Sequence, residues 1–138
     1  MTRERTKIST RVLIADDDPV IRCLIASVVK SEGYVAVEVK DGREAFQLLQ
    51  SDADFKGAVM DMSMPCLNGI DLIRYMRTEK RLQRIPVMMI TAEPDLKLMS
   101  DSFSAGATAF LPKTFTREQL QNALRMLLRH PVQAPVAA

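Results

Sequence analysis

Residues 11–19 read RVLIADDDP: a short apolar run, Arg11–Ala15, breaks off at Asp16-Asp17-Asp18 and Pro19. Such a run, with no alternation of polar positions, suits a strand covered on both faces. Pro19 has the fixed φ of a first helical turn, and Asp18 is placed to cap it. Beyond it, Val20, Leu24 and Val28, with Ile21, Ile25 and Val29, form two adjacent i, i+4 rows. They predict a buried helical stripe that Gly33 ends. Working outward, the unit recurs. Tyr34–Val39 (YVAVEV) predicts a second strand, and a helix from about Gly42 to Gln50 follows, capped by Asp41. Gly57–Asp61 (GAVMD) is a third apolar run ending on a carboxylate. The loop Met62–Gly69 carries the turn residues Pro65, Asn68 and Gly69, and a helix over Asp71–Lys80 follows. Ile85–Ile90 (IPVMMI) and Ala107–Leu111 predict strands four and five. Between them lies a weaker helix, Asp95–Ala105, stopped by Gly106. Thr116 and Gln119 form a capping box for a last helix with Leu120, Ala123, Leu124, Leu127 and Leu128 inward.

Five β-α units with near-continuous apolar strands define an α/β protein, a parallel sheet covered by helices on both sides. Its crossovers are expected to be right-handed. The chain's 138 residues suit one domain, expected over 11–129 between a basic tail (1–10) and a Pro- and Ala-rich tail (130–138). With 47% hydrophobic and 26% charged residues, the composition argues against disorder. No apolar run approaches the roughly 20 residues of a membrane span, and Met1–Ser9 is too polar for a secretory signal. Cys23 and Cys66 are too few for a disulfide framework, so the expected compartment is the cytoplasm, with Cys23 buried. The net charge of +2 is carried by the tail, where Arg3, Arg5 and Lys7 face only Glu4. A neutral body argues against nucleic-acid binding, which rests on many phosphate contacts.

In an open parallel sheet, ligands sit outside the carboxyl ends of the strands, where the strand order reverses. Strand one delivers Asp16 and Asp17 there, strand three Asp61, strand four Thr91, and strand five leads to Lys113. Three converging carboxylates repel and call for a cation, and oxygen-only ligands suit Mg²⁺, which commonly shares its shell with phosphate. A hydroxyl and an ammonium beside them suit the remaining oxygens of a phosphoryl group.

These residues stand in the motifs LIADDDP, MDMSMPCLNG, MITAE and AFLPK, spaced 44, 30 and 22 residues apart from Asp17 to Asp61, Thr91 and Lys113. In order and spacing, the chain from about Arg11 to Arg129 resembles the receiver domain of two-component response regulators. The resemblance implies a flavodoxin-like (βα)5 sandwich of strand order 2-1-3-4-5. It implies that Asp61 accepts a phosphoryl group from a histidine kinase or phosphotransferase, with Mg²⁺ held by Asp16, Asp17, Asp61 and the Ser63 backbone carbonyl. Asp17 would bind the ion directly and Asp16 largely through water. Lys113 would pair with Asp61 and then with the phosphoryl group. Thr91 would move towards that group as Phe110 turns inward, changing the face of the fourth helix, fifth strand and fifth helix for a downstream target or a phosphorylation-linked dimer. Such a protein is a switch rather than an enzyme, catalysing only its own phosphoryl transfer and autodephosphorylation, and here it is expected to stand alone. The sequence departs from the family's common pattern in three places. Thr114 replaces the proline that usually follows the lysine, where a cis bond is still expected; Phe110 replaces the commoner tyrosine; and Ser63 and Glu93 flank the site where phosphoryl lifetime is tuned.

Two other readings stand beside this one. Asp16-Asp17-Asp18-Pro19-Val20 fits the D-x-D-x-[TV] nucleophile motif of Mg²⁺-dependent phosphohydrolases of haloacid dehalogenase type, with Asp16 as nucleophile. That mechanism wants an acidic pair after the lysine where only Glu118 appears, and it leaves Asp61 without a role. A receiver-like binding module that takes no phosphate is the second. The nine methionines, Met60, Met62, Met64, Met88 and Met89 among them, read as core and loop filler rather than ligands. Arg74, Arg77, Lys80, Arg81 and Arg84 read as a solvated helix face, and His130 as a helix-end residue.

Overall fold

The computed structural model describes residues 10–92 and 95–129. His130, Glu93 and both tails lie outside them. Five strands alternate with five helices: β1 (Arg11–Ala15), α1 (Pro19–Ser31), β2 (Val35–Val39), α2 (Gly42–Ser51), β3 (Gly57–Asp61), α3 (Gly69–Thr78), β4 (Val87–Thr91), α4 (Leu96–Ala105), β5 (Ala109–Pro112) and α5 (Arg117–Arg129). The sheet is parallel throughout in the order β2-β1-β3-β4-β5, the flavodoxin-like arrangement expected.

Strand alternation divides the core into two layers. Leu13, Ala15, Ala58, Met60, Val87 and Met89 face one side, with Leu49, Leu72, Ile73 and Met76 of α2 and α3. Val12, Ile14, Val59, Met88 and Ile90 face the other, with Ile25, Val28 and Val29 of α1 and Leu120, Leu124, Leu127 and Leu128 of α5. Every residue of β3 and β4 is buried, which explains why these two strands read as unbroken apolar runs.

The capping chemistry fits the sequence. Asp18 Oδ1 accepts from the amide of Val20 at 2.9 Å, and Asp41 Oδ1 from that of Glu44 at 2.8 Å. The Thr116 amide donates to Gln119 Oε1 at 2.9 Å and the Gln119 amide to Thr116 Oγ1 at 3.0 Å. Gly106 closes α4 at φ +116°, a conformation that disfavours a side chain.

Four expectations need correction. Val20 is 73% exposed, because at about 3.6 residues per turn it falls well off the face of α1 on which Ile25, Val28 and Val29 carry the burial. Cys23 is exposed, on the side of α1 away from those residues. α3 begins two residues earlier than expected, because Asn68 caps it by accepting from the Asp71 amide at 2.9 Å. Arg77 is no solvated residue: half-buried, it donates to the backbone carbonyls of Gly106, Gln83 and Ile85.

One close approach fixes the loop that follows β3. A Cβ on Gly42 would run into the backbone carbonyl of Leu67, so the start of α2 lies flush against that loop. Gly42→Ala is expected to destabilise the protein by about 1–3 kcal/mol, read as a lower urea midpoint, because backbone must move to admit the methyl. An unchanged midpoint would show the loop free to yield.

Candidate functional site

The sheet order reverses between β1 and β3, and these two strands deliver the central acids. Asp16 follows β1 directly, is fully buried, and is oriented by its neighbours. Its Oδ1 accepts from the Asp18 amide at 2.8 Å, and its carbonyl accepts from Arg22 at 2.7 Å. Asp61 ends β3 and is 4% exposed. Its Oδ1 accepts from the Ser63 amide at 3.1 Å. Asp17 is exposed at the mouth. Carboxylate oxygens of Asp16, Asp17 and Asp61 lie within 4.8 Å of one another.

Lys113 reaches this cluster from the end of β5. Its ammonium stands 3.4 Å from Asp16 Oδ2 and 3.4 Å from Asp61 Oδ2. Its own amide donates to the Thr91 carbonyl at 2.7 Å, tying the ends of β4 and β5 together. The peptide joining Lys113 to Thr114 is cis, as expected. Thr91 is buried at the end of β4. Phe110 is partly buried against the core, its ring centroid 6.5 Å from that of Phe103.

The charge balance decides what this site can hold. Three carboxylates against one ammonium leave an excess of negative charge in a largely buried place. Burial above all, then Asp16, pushes the Asp61 carboxyl up to about 6, against the pull of the Ser63 amide and Lys113. Burial lowers Lys113, but Asp61 and Asp16 outweigh it and leave it raised. Asp16 Oδ2 is buried and accepts no hydrogen bond. A buried carboxylate oxygen that accepts no hydrogen bond and has the 3.4 Å ion pair to Lys113 as its partner, in a set of three facing oxygens, fits a hard divalent cation.

This arrangement predicts an unusual pH dependence. Between about pH 4 and 6 the native protein holds a proton on Asp61 that the unfolded chain has lost, so stability falls as pH rises through that window. The full effect is of order 3 kcal/mol. Chemical denaturation without divalent cations should show it, and Asp61→Asn should flatten it. Equal stability of wild type at pH 4.5 and pH 7 would contradict the prediction.

Beside the acids lies an open cleft of about 570 Å³ lined by Asp17, Ser63, Asn68, Thr91 and several apolar side chains. The sequence motifs account for the polar half. Met62, Met64 and Pro65 of the loop motif after β3 line part of the apolar half, and Ile70 of α3 and Leu98 of α4, which stand in no motif, complete it.

A buried acid pair at the strand-order reversal, a third acid at the mouth and a lysine bridging the pair form the expected constellation. The family model described as the response regulator receiver domain matches residues 12–125. This chain belongs to the response regulator receiver family. Its relatives include the chemotaxis protein CheY1 of Helicobacter pylori, 33% identical over 119 residues, which cover 86% of this chain and 96% of that one. The chemotaxis protein CheY of Pseudomonas aeruginosa is 32% identical over 118 residues, covering 85% and 94%. Among solved structures, the chemotaxis response regulator CheY4 of Vibrio cholerae superposes with a TM-score of 0.80 at 28% identity, covering 87% of this chain and 99% of that one. The receiver domain of the sensor histidine kinase PA1611 from Pseudomonas aeruginosa, with a TM-score of 0.78 at 26% identity and coverage of 88% and 99%, has a magnesium ion coordinated in its active-site cleft.

Receivers are signalling switches that work with histidine kinases and downstream targets, and this chain is one of them. The hydrolase reading is not favoured. Asp18, which would be the second acid of its nucleophile motif, is exposed and occupied in capping α1. Among the described residues, no helix is long and apolar enough to cross a membrane.

Proposed function

We propose that this receiver is switched by a phosphoryl group on Asp61. The carrying observation is the position of Asp61 Oδ2, 3.4 Å from Lys113 at the edge of the acid cluster. The Asp61 carboxylate attacks the phosphorus of a phosphohistidine on a histidine kinase or phosphotransferase. The phosphorus–nitrogen bond breaks, the imidazole leaves with the electron pair, and an aspartyl phosphate remains. Little more is asked of the protein than alignment and charge neutralisation. Mg²⁺, held by Asp16, Asp17, Asp61 and the Ser63 carbonyl, would neutralise charge on the phosphoryl oxygens. Lys113 then pairs with the phosphoryl group, the Thr91 hydroxyl moves towards it, and Phe110 turns into the space vacated. The face of α4, β5 and α5 changes with them and meets a downstream target or a second copy. Water later releases the phosphate, at a rate tuned by Ser63 and Glu93. The domain spans 11–129, and the site of action is the cytoplasm.

Intact-mass measurement after incubation with acetyl phosphate tests the proposal. One phosphoryl adduct is expected with Mg²⁺ and none with the cation chelated. An adduct equally abundant with and without Mg²⁺, or absent throughout, contradicts it.

A further inference from the structure

α4 borders the cleft and is held mainly by half-buried side chains, Leu98 and Ala105 against the core and Phe103 beside Phe110. Ser102 is its one buried residue, bonding within the helix to the Leu98 carbonyl and touching Met62 Sδ at 3.9 Å. Leu96 at its start is 83% exposed and Phe103 is 45% exposed. Leu98, in its first half, lines the same cleft as Thr91 and Asp17. A helix with so small an apolar contact is weakly fixed by packing.

Its C-terminal end is different. The Arg77 guanidinium, reaching from α3, donates from Nε at 3.1 Å and Nη2 at 2.9 Å to the carbonyl of Gly106, the residue that caps α4. Its Nη1 donates to the carbonyls of Gln83 at 3.1 Å and Ile85 at 3.0 Å, in the segment leading into β4. Glycine is required opposite it, because a Cβ at Gly106 would lie 2.7 Å from Arg77 Cγ and 2.8 Å from Nε. One planar cation therefore joins three backbone segments at the end of α4 remote from the acids.

We infer that Arg77 is the positioning residue of the switch, a fixed post at Gly106 from which the cleft-lining first half of α4 moves. The inference rests on the reading of Asp61 as phospho-acceptor. With the far end held, a change at Thr91 and Leu98 turns the helix as a lever and carries Leu96 with it. Without the post, both ends yield and the change at the cleft is dissipated.

Amide hydrogen exchange by NMR, run on samples whose phosphoryl adduct is counted by mass, tests this. In wild type, phosphorylation should alter exchange at residues 99–101 at least tenfold and leave the Gly106 and Ala107 amides within twofold. Arg77→Met should be labelled to the same extent, but with Gly106 and Ala107 exchanging at least tenfold faster and the response at 99–101 reduced to under twofold. Arg77→Lys should resemble Arg77→Met, because an ammonium cannot reproduce the fork, and its unchanged sheet amides certify the fold. A full response at 99–101 in both labelled variants overturns the inference and leaves the Asp61 reading intact. A wild-type protein that takes no label overturns both.

Discussion

Asp61→Ala protein incubated with Mg²⁺ and acetyl phosphate is expected to carry no phosphoryl group, where wild type carries one. The loss should be complete, because the substitution removes the nucleophile itself. Asp16 is close and shares the Lys113 ammonium, but its carboxylate is fully buried where Asp61 keeps an exposed edge for the approach to phosphorus. Asp17 is exposed yet lacks the ammonium at 3.4 Å that Asp61 has. The variant should also remain folded, and without divalent cations at neutral pH it should be more stable than wild type, because burial beside Asp16 disfavours the charge on Asp61. Lost labelling together with raised stability separates removal of the nucleophile from collapse of the site.

Lys113→Ala is expected to give the second-largest effect, of a different kind. The nucleophile remains, so labelling continues, roughly a hundredfold slower for want of one preorganised cation at the transferring oxygens. Asp16 and Asp61 lose their shared counter-charge, and the cation-free protein should lose about 3 kcal/mol, within the range for breaking a buried pair. Mg²⁺ should restore much of that stability. The labelled variant should lack the surface change of labelled wild type, because no ammonium draws the end of β5 to the phosphoryl group. Equal exchange responses in wild type and Lys113→Ala, at equal labelling, would remove Lys113 from the switch.

Much of this was legible in the sequence, for identifiable reasons. β3 and β4 are covered on both faces, so GAVMD and VMMIT show as apolar runs ending on Asp61 and Thr91. Where the runs stop, the site begins, and the order of those endings located Asp16, Asp17, Asp61, Thr91 and Lys113. Pro86 marks a limit of this reading. It belongs to the apolar run IPVMMI but has no amide hydrogen to give, and β4 starts at Val87, with Pro86 contributing only its carbonyl to the Ala58 amide. Contacts set by tertiary approach were out of reach. Lys113 was expected to pair with Asp61, but its equal distance to Asp16 follows from where β1 and β5 end in space, and no spacing rule connects residues so far apart. Arg77 was hidden among neighbouring basic residues. It stands four residues after the buried Ile73, so its stem falls on the inner side of α3, and that offset was the one signal available. The share of the cleft that Leu98 and Ile70 supply depends on how α4 packs beside α3 and β5 and leaves no pattern in the chain.

The central claim is that the phosphoryl group is carried by Asp61. The most direct measurement is to label the protein with acetyl phosphate and Mg²⁺, reduce the acyl phosphate with borohydride, and locate the resulting homoserine by tandem mass spectrometry. Homoserine at position 61 alone is the predicted result. Homoserine at position 16 would contradict the account and return the chain to the chemistry of an Asp16 nucleophile.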